Sequence, residues 1–265
     1  MADATPLRLA SRVDGAAAAP GLLCCNSLGT SMEMWDPQVP AWSLHHRVIR
    51  YDTPGHGASP VDPAASSLDE LGRGALEVLD AQGIAVTDVC GLSLGGLVAL
   101  WLAVNHPHRV RRLVLACTAA RIGTAARWEE RADAVRQGGM EAIASPVLER
   151  FFSHGFVERD PGTVDRIATM LRGVTSAGYA DACLALRDAD LSGDLGRITA
   201  PTLVICGSED VATPPAVVRD VHDGIAGSRW LEIPDAGHLA NLEQPETFAT
   251  AVTAFLTDEA DSHLA

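Results

Sequence analysis

Long apolar runs are missing from this sequence. No stretch of its 265 residues approaches the roughly 20 apolar residues of a membrane span, so no transmembrane helix is expected. Met1 to Pro6 shows no basic segment leading into an apolar one, and no secretory signal is expected. The run Ala16–Ala19 is too short for one and sits between Gly15 and Pro20, a turn context. Metal-ligand spacing is missing as well. Among the six cysteines, Cys24, Cys25, Cys90, Cys117, Cys183 and Cys206, no pair has the spacing of a zinc site, and no His-Glu-x-x-His appears. No metal and no organic cofactor is therefore expected. Positive charge is scarce: 20 Lys and Arg stand against 34 Asp and Glu, a formal charge of −14. That balance argues against nucleic acid and against an anionic membrane surface as partners. There are no internal repeats and no low-complexity segment beyond the alanine run.

What remains is a chain rich in apolar residues, 47%, long enough for one large domain or a domain with an insertion. Cysteines placed in predicted core strands act as small hydrophobes, and adjacent Cys24 and Cys25 face opposite sides of a strand. A reduced, cytoplasmic protein is the expectation. Short apolar strands alternate with amphipathic helices, the pattern of a mostly parallel sheet covered on both faces. The pattern predicts strands at Leu7–Ala10, Gly21–Cys25, Arg47–Tyr51, Ile84–Cys90, Arg112–Cys117, Thr202–Cys206 and Arg229–Ile233. Helices are expected over 35–44, with Trp35 facing inward, over 67–82, over 96–104 and over 246–256. Ser67 with Glu70 three residues on gives the second of these a helix start. Between about Ala119 and Gly196 no strand is convincing; helical stretches at 124–137, 139–152, 161–173 and 176–187 follow one another. Residues 119–196 therefore read as a helical cap, and 1–118 with 197–265 as the core domain.

The chain is organised around Gly91-Leu92-Ser93-Leu94-Gly95. A buried strand leads into it and an apolar helix leads out, the setting of a nucleophile elbow. The glycines are required because a Cβ at either would clash where strand and helix nearly touch. A serine hydroxyl needs a base, and the base needs a third group to orient it. Two later loops, each at the carboxyl end of a predicted strand, supply these groups. Gly207-Ser208-Glu209-Asp210 offers Asp210 as the acid, with neighbouring Glu209 as a weaker alternative, and Pro234-Asp235-Ala236-Gly237-His238 offers His238. Asp235 reads as a turn residue, His56 as a structural loop residue between two glycines, and His45, His46, His106, His108, His154, His222 and His263 as surface or helix-end residues. The oxyanion donors are expected to be the backbone N–H groups of Leu94, the residue after the serine, and Leu28, in the loop after the second strand.

Taken together, Asn26-Ser27-Leu28-Gly29-Thr30, Met34-Trp35-Asp36-Pro37-Gln38, the elbow, Thr118 to Thr124, Ala185 to Leu191 and Asp235-Ala236-Gly237-His238 resemble the α/β-hydrolase family. Within it the chain is most similar to the 3-oxoadipate enol-lactonases of the β-ketoadipate pathway. The resemblance implies an eight-stranded sheet with a helical cap, and hydrolysis of an unsaturated γ-lactone bearing a carboxymethyl arm. It places Ser93, Asp210 and His238 on the family's triad positions. One departure stands out. The family usually reads Tyr-Asp-Thr-Arg-Gly-His-Gly where this chain has Tyr51-Asp52-Thr53-Pro54-Gly55-His56-Gly57. A cation near the pocket mouth is lost, although the substrate's carboxylate calls for one. Either Arg121 supplies it, or Arg121 is a surface residue neutralising a helix end and another lactone or ester is the substrate.

The expected mechanism needs only side chains: His238 takes the Ser93 proton, Leu94 and Leu28 hold the oxyanion, and Asp210 orients His238. Trp35, Trp128, Phe151, Phe152 and Met170 are the apolar candidates for the substrate wall, with plain core packing as the alternative for each. The serine excludes haloalkane dehalogenase and epoxide hydrolase chemistry, which require an aspartate at the elbow. Carbon–carbon bond hydrolysis, cofactor-free perhydrolysis and a non-enzymatic ligand receptor on the same scaffold stay open. The expected partner is a small-molecule lactone or ester; oligomeric state is not written in the sequence.

Overall fold

The computed structural model describes residues 9–62 and 65–258. In chain order the elements are β1 (Ser11–Asp14), β2 (Gly21–Cys25), α1 (Val39–Trp42), β3 (Arg47–Tyr51), α2 (Leu68–Ala81), β4 (Thr87–Leu92), α3 (Leu94–Asn105) and β5 (Val110–Ala116). Five helices follow: α4 (Ala125–Gly138), α5 (Glu141–Phe151), α6 (His154–Arg159), α7 (Pro161–Arg172) and α8 (Ser176–Asp188). The chain then closes with β6 (Thr202–Gly207), α9 (Pro215–Gly224), β7 (Arg229–Ile233), α10 (Ala240–Glu243) and α11 (Pro245–Thr257). Among the described residues no helix is long and apolar enough to cross a membrane.

The strands form one sheet in the order β1-β3-β2-β4-β5-β6-β7, with β1 antiparallel to β3 and every other pairing parallel. The doubly wound α/β architecture is the expected one, but the count differs: seven strands among the described residues, not eight. The first strand is also displaced. Leu7 and Arg8 lie outside the described residues, Leu9 and Ala10 are not in a strand, and the edge strand begins at Ser11. Its side chains are mostly exposed, so no apolar run marked it.

The middle of the sheet is buried because both faces are covered, and it is mostly apolar, with Thr87 and Asp88 at the start of β4 the polar exceptions on that strand. All six residues of β4 are buried, and α3 is buried from Leu94 to Val104 without a polar stripe, as a helix packed between sheet and outer helix must be. Helix α2 lies on its outer side. Ser67 caps α2 through the Glu70 N–H at 3.2 Å, and Trp101 of α3 gives its indole N–H to Asp69 at 2.6 Å. Burial pushes the Cys25 thiol up to about 12, and all six cysteines are buried and free, which leaves them inert packing groups.

Two expectations need correction. A fifth helical piece of the insertion, α6, was not legible; it is only six residues long, started by the Phe156 N–H donating to the Ser153 hydroxyl. His46 is not a surface residue. It is 2% exposed, with Nε2 3.3 Å from the buried Asp88 carboxylate, which Arg111 also contacts. His56 is buried; its Nδ1–H donates to the Pro54 carbonyl at 3.0 Å, and burial lowers its pKa to about 4, so it is neutral near pH 7.

Candidate active site

Ser93 sits between β4 and α3 at φ 58°, ψ −117°, a backbone conformation that non-glycine residues rarely adopt. Such a residue costs on the order of 1–3 kcal/mol and persists only where its surroundings over-determine it. Here they do. The Ser93 N–H donates to the Ala116 carbonyl at 3.0 Å, and the Ser93 carbonyl accepts from Gly96 N at 2.9 Å and Thr118 Oγ1 at 2.7 Å. A Cβ on Gly91 would strike the Gly95 carbonyl, and one on Gly95 would strike the Cys25 carbonyl. Strand and helix thus approach closely enough for the serine side chain to be lifted out of the turn.

The loops after β6 and β7 are sewn together by main chain: Ser208 N donates to Ile233 O at 2.9 Å and Glu209 N to Ala236 O at 2.8 Å. That brings the His238 Nδ1–H to Asp210 Oδ2 at 2.8 Å, with both residues buried. Asp210 Oδ1 accepts from Ala212 N at 2.7 Å and Thr213 N at 2.9 Å, and Oδ2 also accepts from Thr213 Oγ1 at 2.7 Å. Burial alone would raise the Asp210 carboxyl. The charge of His238, its hydrogen bond and those of Thr213 outweigh burial and hold it below the ordinary value. Glu209 and Asp235 are exposed, so neither competes for the imidazole.

Ser93 and His238 open onto one narrow cavity between the carboxyl edge of the sheet and the helical insertion. Leu28 lines it beside Ser93. The Leu94 N–H heads the first turn of α3, where no carbonyl precedes it to accept a bond. Among the described residues neither Leu28 nor Leu94 gives its N–H to another group. Both are therefore available to a developing oxyanion.

Of the six side chains expected to touch substrate, Trp128 and Phe151 line the cavity. The other four do not. Trp35 is fully buried beneath the site, packed 5.8 Å from Trp42 and 6.2 Å from Phe248, with its indole N–H on Asn26 Oδ1 at 2.8 Å. Phe152 turns away to stack on Phe156 at 5.2 Å. Met170 lines a separate groove, its sulfur accepting the Ser31 N–H at 3.0 Å. Arg121 is half exposed and pairs with Asp190 at 3.3 Å.

The wall holds cations that sequence reasoning missed: Arg127 and Arg131 on α4 and Arg150 on α5. None has a carboxylate partner among the described residues; Arg150 donates to the Ala212 carbonyl at 3.3 Å, and Arg131 lies 5.0 Å over the Trp128 ring. Burial and then the charge of Arg131 push Arg127 below its ordinary value; burial and then both other arginines do the same to Arg150. Arg127 is exposed and Arg131 and Arg150 are half-buried, so this wall presents a cluster of positive charge that an anionic group entering the cavity can meet. The signal was present but masked. Arg127 and Arg131 stand four apart on one helix face, an unfavourable pair on its own, yet Glu129 and Glu130 between them read as balancing charges. In the fold Glu129 is taken by Arg187. The buried hydroxyls of Ser27 and Tyr179, also on this wall, have no hydrogen-bond partner among the described residues.

Residues 20–245 match a family model described as the alpha/beta hydrolase fold. The chain is 39% identical over 242 residues to 3-oxoadipate enol-lactonase 2 of Acinetobacter baylyi, covering 91% of this chain and 90% of that protein. The enol-lactonase from Burkholderia xenovorans superposes with a TM-score of 0.92 at 41% identity, covering 94% of this chain and 96% of the other. A thermophilic esterase from Thermogutta terrifontis superposes with a TM-score of 0.90 at 29% identity, covering 96% and 95%.

Proposed function

The chain belongs to the α/β-hydrolase fold family, and from that premise we propose that it is a serine hydrolase opening an enol-lactone that carries a free carboxylate. His238 takes the Ser93 proton as Ser93 Oγ attacks the lactone carbonyl. The N–H groups of Leu28 and Leu94 hold the tetrahedral oxyanion. The ring C–O bond breaks, the enolate leaves, takes a proton from His238 and becomes a ketone. Water activated by His238 then cleaves the acyl-enzyme and frees the acid and Ser93. Asp210 keeps the His238 Nδ1 protonated and stabilises the imidazolium. Residues 119–196 act as a cap that carries the substrate wall, over a core of 1–118 and 197–265.

The observation that carries the substrate assignment is the trio Arg127, Arg131 and Arg150 facing the Ser93 cavity in a protein of net charge −14. It supplies the positive charge that Pro54 removes and Arg121, spent on Asp190, does not replace. Pro54 favours a second reading, a lactone or ester without the carboxylate; the unpaired arginines count against it. Purified protein is to be assayed on the enol-lactone with a carboxymethyl arm, its arm-less analogue and an aryl acetate. The first is expected to be preferred by about 100-fold in kcat/KM, the scale of one or two charge-assisted bonds. Equal rates on the first two would sink the assignment, and hydrolysis by Ser93→Ala would sink the mechanism.

A further inference from the structure

Glu243, the last residue of α10, is a carboxylate 3% exposed that the proposed reaction does not use. A buried carboxylate is costly unless its lone pairs are taken up. Glu243 has no ion-pair partner among the described residues: Arg159 donates to its main-chain oxygen, at 3.3 Å. Its carboxylate instead accepts three hydrogen bonds. Oε1 takes the N–H groups of Gly237 and Ser153, each at 3.0 Å, and Oε2 takes the Ser153 hydroxyl at 2.5 Å. Gly237 precedes His238. Ser153 is the N-cap of α6, two residues beyond the end of α5.

Both sides of the histidine are fastened to this junction. On one side is Gly237, where a Cβ would stand 2.7 Å from Glu243 Oε1 and from the Ser153 nitrogen. On the other, Leu239 N donates to Phe151 O at 3.0 Å, and the Phe151 ring stacks on His238 at 6.0 Å and 20°. Helix α5 also carries Arg150. We propose that Glu243 is a positioning residue that locks the histidine loop to the α5–α6 junction, so that the His238 ring and the arginine wall stay in one register. This rests on the reading of His238 as the base. Without the carboxylate, two buried N–H groups and a hydroxyl lose their acceptor together, and the loop is free to shift against α5.

The test compares folded wild type, Glu243→Ala and Glu243→Gln, normalised by active-site titration. Three quantities are read: kcat and KM on the carboxylate-bearing lactone, the rate of Ser93 labelling by an uncharged fluorophosphonate, and the low-field proton resonance of the His238 Nδ1–H. A displacement of about 1 Å in a reacting pair costs about 100-fold. Glu243→Ala is expected to lose roughly 10- to 100-fold in kcat, to label more slowly by a similar factor, and to broaden or lose the low-field resonance. Glu243→Gln keeps an oxygen for both N–H groups and an amide to donate to the Ser153 hydroxyl; it is expected to recover to within a few-fold. A contact that merely stabilises the fold would lower Tm and leave all three quantities unchanged, and that result overturns the proposal. So does a glutamine variant as slow as the alanine one. If Glu243→Ala does not fold, Gly237→Ala and Ser153→Ala take its place: slowed labelling in both supports the lock, and normal labelling in both overturns it. Loss of hydrolysis in Ser93→Ala and His238→Ala with a normal Glu243→Ala defeats only the lock; retention of hydrolysis in His238→Ala defeats its premise.

Discussion

On the sheet side of the cavity the catalytic groups are set chiefly by main chain; on the helical side the charged and aromatic groups are side chains carried on helix faces. Ser93 stands where it does because its own N–H and C=O are pinned to Ala116, Gly96 and Thr118. His238 and Asp210 meet because the loops beneath them exchange backbone hydrogen bonds. The opposite wall has no such frame. Arg127, Trp128 and Arg131 project from α4, and Arg150 and Phe151 from α5; their positions follow from how those helices pack. Backbone placement tolerates little substitution and leaves motifs behind. Side-chain placement can be met from many sequence positions, and here three arginines on two helices supply the positive wall.

The contrast predicts effects of different kind. The largest belongs to the sheet side. Asp210→Asn should lower kcat by about 10,000-fold through the wrong His238 tautomer, with KM little changed, as steady-state kinetics will show. Its effect on stability should depend on pH. A carboxyl held below its ordinary value stabilises the fold above the unfolded pKa of about 3.9 and loses that contribution as pH falls through the lower folded value. Denaturant melts of wild type and Asp210→Asn should therefore begin to converge as pH falls below about 4 and meet only below the lower folded value.

A smaller effect, confined to one class of substrate, belongs to the helical side. Arg150→Gln should raise KM for the carboxylate-bearing lactone by about 10- to 100-fold, the worth of a charge-assisted hydrogen bond, while aryl acetate kinetics stay near wild type. If both substrates suffered equally, the two walls would not differ in the way argued.

The smallest effect on turnover comes from beneath the cavity. Trp35→Ala should destabilise the protein by about 3–5 kcal/mol in denaturant titration, yet leave KM unchanged in the folded enzyme, since Trp35 touches Trp42, Phe248 and Asn26 rather than the cavity. A KM shift without loss of stability would return Trp35 to the substrate wall.

Local regularities in the chain specified a good deal. The elbow, the strands Gly21–Cys25, Arg47–Tyr51 and Arg229–Ile233, the capped helix after Ser67 and the order serine, acid, histidine were all legible. Each rests on hydrophobic period, capping or glycine chemistry acting over a few residues. The sequence already preferred Asp210 to Glu209; the fold supplies the physical reason, since the register of the β6 and β7 loops buries Asp210 on the histidine and leaves Glu209 exposed. The arginine wall, the burial of His46 and the seam at Glu243 were settled by tertiary structure alone. All three depend on contacts between segments far apart in the chain, and nothing in the local spacing of residues records which distant partner a side chain will meet.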